Sequence, residues 1–110
     1  GTWELGSWET GLWKGGTWKY GVWKDGEWED GTWNNGIWED GRWDDGLWKT
    51  GTWMNGEWLN GVWKKGTWNG GKWLSGTWKG GKWNGGKWWA GTDKNGNFHP
   101  EDDSPDKWDI

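Results

Sequence analysis

The chain has 110 residues, of which 20 are Trp and 24 are Gly, and it carries 13 Lys or Arg against 17 Asp or Glu. Hydrophobic residues of all kinds total 30%, so Trp supplies most of them; a Leu, Ile and Val core is excluded and any core must be built from indole. No apolar run approaches the ~18 residues of a membrane span, no signal peptide is visible, and the absence of Cys excludes disulfides and thiolate metal sites. A net charge of −4 argues against nucleic acid as the partner. The missing initiator Met fits a processed form or an excised segment.

From Gly1 to Ala90 the chain reads as eighteen uninterrupted pentads, Gly-x-Trp-x-x. A period of five fits neither an amphipathic helix nor a coiled coil, and a Gly in every pentad costs ~1 kcal/mol against helix each time. Gly and Trp stand two apart and share one face of a short strand. Residues after Gly are often strand formers (Thr17, Val22, Ile37), and those after Trp are mostly polar or charged (Glu4, Lys24, Glu39). Eleven of the seventeen pentad junctions read Asp-Gly, Asn-Gly or Gly-Gly. Each pentad is therefore predicted to be a three-residue strand and a corner, with Gly filling the space beside Trp.

Asn-Gly and Asp-Gly between strands ordinarily mark two-residue hairpins, but three-residue strands cannot present alternating bonding edges to two neighbours through such turns. A parallel coil has no such conflict. The expected fold is all-β: a short-strand pentad-repeat solenoid over residues 1–90, with an acidic cap or tail at 91–110. Its interior ladder comprises Trp3, Trp8, Trp13, Trp18, Trp23, Trp28, Trp33, Trp38, Trp43, Trp48, Trp53, Trp58, Trp63, Trp68, Trp73, Trp78, Trp83 and Trp88.

The small-x-large-x-x pattern over residues 1–90 resembles the pentapeptide-repeat proteins, with Trp in place of their Leu or Phe and without their usual Asp or Asn before the large residue. The resemblance implies a quadrilateral β-helix. The shorter string Gly-x-Trp-x-x-Gly is similar to part of the MORN repeat, which implies an antiparallel meander as the alternative. Two alignments compete for the coil length. Fifteen residues stack Glu27, Arg42, Glu57 and Lys72 in alternating charge, and twenty stack Glu4, Lys24, Asp44 and Lys64 likewise. A five-residue side is roughly 16 Å long, which leaves a triangle's centre only about 5 Å from each side; three indoles per ~4.8 Å layer would collide there, so four sides are expected.

Charge is segregated along the chain. Residues 1–60 hold five bases and eleven acids, residues 61–90 hold Lys64, Lys65, Lys72, Lys79, Lys82 and Lys87 with no acid, and residues 91–110 hold two Lys and six acids. The six Lys are the candidate assembly surface, either for the acidic tail or for an acidic region of another copy. Gly1 opens directly on a repeat with no visible cap, and open solenoid edges invite stacking.

In the tail, Phe98 and Trp108 are candidates to cover the last layer. Asp93, Asn95 and Asn97 alternate ahead of Glu101 and Asp102 in a weak likeness to a calcium loop, but the Gly and Glu spacings of an EF-hand are missing. No nucleophile–base pair, Cys/His cluster or phosphate loop is readable, and His99 is the only His. The expectation is a non-catalytic structural rod without cofactor or metal, self-associating end to end in a fibre, appendage or virion component. An extracellular, cell-surface or virion setting is favoured. The alternative is a carbohydrate-binding module, which requires Trp rings exposed to stack on a glycan.

Overall fold

The computed structural model describes residues 1–108. Eighteen two-residue strands, β1 (Thr2–Trp3) to β18 (Lys87–Trp88), recur every five residues; β19 (Gly91–Thr92) and β20 (Phe98–His99) follow, then a 3-10 turn at Pro105–Lys107. The strands stack in parallel with partners fifteen residues apart, such as Thr17 with Thr32 and Trp18 with Trp33. They form three sheets running the length of a rod measuring 37 × 21 × 19 Å. The fold is thus an all-β parallel solenoid of six coils, and the antiparallel meander is excluded. No helix of the described residues is long and apolar enough to cross a membrane.

Three sides replace the four expected, and the strands are two residues long rather than three. Three indoles do fit one layer, because none of them points straight at the axis. Instead, each indole packs its edge against the face of the next one around the coil, at 69–79° and 5.5–5.9 Å between centroids. Along the rod each ring lies nearly parallel to its equivalent fifteen residues away, at 4–8° and 4.7–5.2 Å. Both geometries suit the indole quadrupole, and together they fill a triangular section without collision. Trp18 to Trp73 are fully buried, and only Trp3 and Trp8 in the first coil are partly covered.

The backbone is satisfied between coils. At each side, the residues flanking Trp donate to the coil beneath, as in Thr32 N–H to the Gly16 carbonyl (2.9 Å) and Asn34 N–H to the Trp18 carbonyl (2.7 Å). The corner decides the glycine. Gly36 has φ +125°, and a Cβ there would overlap the Gly21 carbonyl oxygen of the coil below. Gly is therefore required by corner conformation and by the close approach of coils, more than by the volume beside Trp. The residue before it closes the turn: the Oδ1 atoms of Asp25, Asp30, Asn35, Asp40 and Asp45 each accept the following Gly N–H at 2.8 Å.

Indole N–H groups divide by corner type. Trp53, Trp63 and Trp73 donate to the carbonyls of Gly70, Gly80 and Ala90 at 3.0–3.1 Å, where the corner residue is small. Nε1 of Trp18, Trp23, Trp28, Trp33, Trp38, Trp43 and Trp48 is buried without an acceptor among the described residues. Their corners seventeen residues on carry Asn, Asp, Thr or Lys. Trp58, opposite Ser75, and Trp68, opposite Gly85, are exceptions and are also unpartnered among the described residues.

Candidate functional site

Because coils repeat every fifteen residues, each outward position becomes a column along the rod. At the corner leaving the first sheet, Lys49, Lys64 and Lys79 lie in successive coils, fixed by Lys64 N–H to Trp48 O (2.9 Å) and Lys79 N–H to Trp63 O (2.8 Å). Lys65 stands beside Lys64, and all four side chains are exposed. The rest of the candidate basic set is split. Lys82 begins a strand of the second sheet, while Lys72 and Lys87 stack on the third, where Lys72 follows Glu57 and Arg42. The six Lys therefore occupy more than one surface.

Lys87 is engaged by the tail. Its Nζ lies 2.7 Å from Asp102 and 2.9 Å from Glu101, which hold its ammonium above the usual lysine range, Asp102 contributing most. It also sits 4.8 Å over the ring of Trp89. The acids concentrate in the lower coils. Glu29–Asp30 and Asp44–Asp45 occupy equivalent positions of successive coils at the corner entering the first sheet, where Asp44 is paired with Arg42 at 2.7 Å.

The tail builds a cap on the last coil. Strand β19 continues the first sheet, and β20 turns back antiparallel to it. Asp102 N–H donates to the Trp88 carbonyl (2.9 Å), and Trp88 Nε1–H donates to the His99 carbonyl (3.2 Å). Trp108 meets the Trp88 ring edge-on at 5.2 Å and stacks on the His99 imidazole at 3.9 Å. Phe98 is 65% exposed, so Trp108 and His99 cover the layer and Phe98 does not.

Asp93 is almost fully buried. Its Oδ1 accepts the N–H groups of Asn95 (2.8 Å) and Asn97 (3.1 Å), and its Oδ2 lies 2.8 Å from His99 Nε2. His99 Nδ1 lies 2.8 Å from Asp103. Burial acts to lower the His99 pKa, but hydrogen bonds to Asp93 and Asp103 outweigh it and leave the imidazole above its ordinary 6.5. The His99 bond, helped by the two backbone N–H groups and opposed by burial, brings Asp93 down to about 2. The alternating Asp93, Asn95 and Asn97 are thus a turn closed on one carboxylate, with Asn95 and Asn97 contributing backbone N–H. No group of three His, Cys, Asp or Glu suited to a metal occurs among the described residues. A metal would have to displace both turn and imidazole from Asp93. The signal for this cluster was present in the sequence: the only imidazole lies within six residues of Asp93 and four of Asp103.

Hollows mark the surface, two of them bordered by charged side chains. One of 390 Å³ lies between the last coil and the cap, bounded by Lys79, Lys82, Lys94 and Trp108; the other, of 530 Å³, is a shallow trough beside Asp25, Asp40, Arg42, Glu57 and Lys72. Neither brings a nucleophile to a base. Of the Trp residues, Trp89 is exposed at 41%, while the ladder faces inward. The wide indole surface that glycan stacking requires is therefore not presented by the repeat. No family model, no curated protein and no solved structure matches this chain.

Proposed function

We propose that the chain is a non-catalytic structural rod that self-associates in a fibre, appendage or virion component, in an extracellular, cell-surface or virion setting. The observation that carries this reading is the ladder itself. Its indoles from Trp18 to Trp73 are spent on a closed interior, leaving the outside as columns of polar and charged side chains rather than one distinctive cleft. Period and small-x-large pattern support a kinship with the pentapeptide-repeat proteins, of which this chain is a three-sided counterpart with indole inside.

The cap bears on how rods join. Trp108 and His99 lie over the last coil, so end-to-end stacking there requires the cap to move, and side contacts meet no such obstacle. Electron microscopy and sedimentation across a concentration series test the reading: filaments or growing oligomers are expected. A monomer at every concentration and at low ionic strength overturns it. Trp emission is expected to be blue-shifted and indifferent to added sugars; red-shifted, sugar-quenched emission favours the glycan-binding alternative instead.

A further inference from the structure

We propose that rods of this chain associate side by side with parallel axes and a stagger of one coil, the basic corner of one against the acidic corner of the next. The inference rests on the self-association reading above and names the surfaces that carry it. The basic corner is Lys49, Lys64 and Lys65, extended by Lys79, and it leaves the first sheet in the upper coils. The acidic corner is Glu29, Asp30 and Asp45, and it enters the same sheet in the lower coils. None of these side chains forms an ion pair among the described residues, in contrast to Lys19, Lys24, Arg42 and Lys87.

Three features make the two corners fit. Both are columns of one solenoid, so their charges share one rise, about 4.8 Å per coil, and a rung-for-rung match follows when the axes are parallel. Crossed rods lose that match after one or two rungs. Like charges stacked on neighbouring strands repel, as Lys49, Lys64 and Lys79 do, and an opposed acidic column relieves this. Finally, Asp30 and Asp45 are held by their bonds to Gly31 and Gly46 at 2.8 Å, so docking costs little further ordering of that side.

The stagger follows from the strands that each corner flanks. Glu29–Asp30 enter strand Thr32–Trp33 and Asp45 enters Leu47–Trp48, while Lys49 leaves Leu47–Trp48 and Lys64–Lys65 leave Val62–Trp63, one rung higher in each case. A shift of one coil, roughly 5 Å, sets Asp45 of one rod beside Lys64–Lys65 of the next and Glu29–Asp30 beside Lys49. Each rod then uses one corner to reach a neighbour and keeps its other corner open. Such a heterologous contact does not close, and it generates a slanted ribbon.

Charge reversal tests this. One variant carries Lys49→Glu, Lys64→Glu and Lys65→Glu; the other carries Glu29→Lys and Asp45→Lys. Sedimentation velocity and electron microscopy at low ionic strength are expected to show concentration-dependent ribbons for the unaltered chain, dispersed by salt. Each variant alone should need at least roughly tenfold higher concentration to assemble. An equimolar mixture should restore assembly, because one variant is acidic at both corners and the other basic at both. Circular dichroism and Trp emission of each variant should match the unaltered chain, which separates lost contact from lost fold. A monomer under all conditions overturns both this inference and the self-association reading, including a monomer that binds only a sulfated polysaccharide. Ribbons that ignore both reversals, or a closed dimer, overturn the staggered contact and leave self-association standing.

Discussion

In the middle of the rod an indole is covered by copies of itself: Trp43 lies between Trp28 and Trp58 at 4.7 Å on either side, and its edge contacts are Trp38 and Trp48. On the last coil Trp88 has Trp73 on one side and, on the other, Trp108 backed by the Asp93–His99–Asp103 chain. The ladder uses one residue type eighteen times and carries no titrating group; the cap uses a non-repeating cluster around the one His and contains titratable groups. Covering by repetition tolerates surface change, whereas covering by a unique cluster ties the end of the rod to its chemistry.

The largest effect is expected inside the ladder. Trp43→Ala should cost about 3–5 kcal/mol in urea unfolding, and Trp3→Ala, in the partly exposed first coil, clearly less. Equal losses would break the claim that stacking on both faces holds the middle. Gly36→Ala should come next, at about 2–4 kcal/mol, because it combines a positive φ with overlap on a neighbouring backbone. Gly96→Ala, in the tail at φ +82° with open space around the added methyl, should cost only about 1 kcal/mol.

Within the cap, Trp108→Ala should destabilise by about 1–3 kcal/mol and raise quenching of Trp78, Trp83 and Trp88 while leaving the central ladder protected. The cap should also respond to pH. The raised His99 pKa contributes stability that is complete below the unfolded value of 6.5 and lost as pH rises through the folded value. The lowered Asp93 pKa contributes stability present above 3.8 and lost as pH falls toward about 2. Cap protection, read by amide exchange at Asn95 and Asn97, should therefore be greatest between pH 3.8 and 6.5. His99→Gln should flatten the neutral limb, and an unchanged profile would remove the imidazole from the account. The smallest effect belongs to the corners: Asp30→Ala removes one exposed hydrogen bond to Gly31 and should cost no more than about 1 kcal/mol.

Much of the architecture was legible in residue order. A period of five with Gly and Trp two apart, and the parity conflict of three-residue strands, lead to a parallel coil with Trp inside. The number of sides was not legible, because it depends on ring tilt: indoles set at about 70° to one another need less room at the centre than rings aimed at an axis. The role of Gly was half legible, since pattern alone does not reveal that the carbonyl of Gly21 stands where a Cβ of residue 36 would go. In the tail, alternation of Asp93, Asn95 and Asn97 looked like a ligand set because side chains were counted, whereas the turn is made by backbone N–H groups.

The uniform interior has a consequence for folding. In most sheets a slipped pairing puts the wrong side chains in the core, and the penalty selects the native arrangement. Here a slip of five residues still sets indole over indole and Gly over Gly, so side-chain identity does not reject it; geometry does, because the slipped coil must hold a fourth side or loop a pentad out of the three-sided section. The three-indole section therefore sets the register, and the outer columns add to it where Glu57 meets Lys72 only at the fifteen-residue offset. Register in this chain is thus guarded by the shape of the cross-section rather than by which residue lands inside.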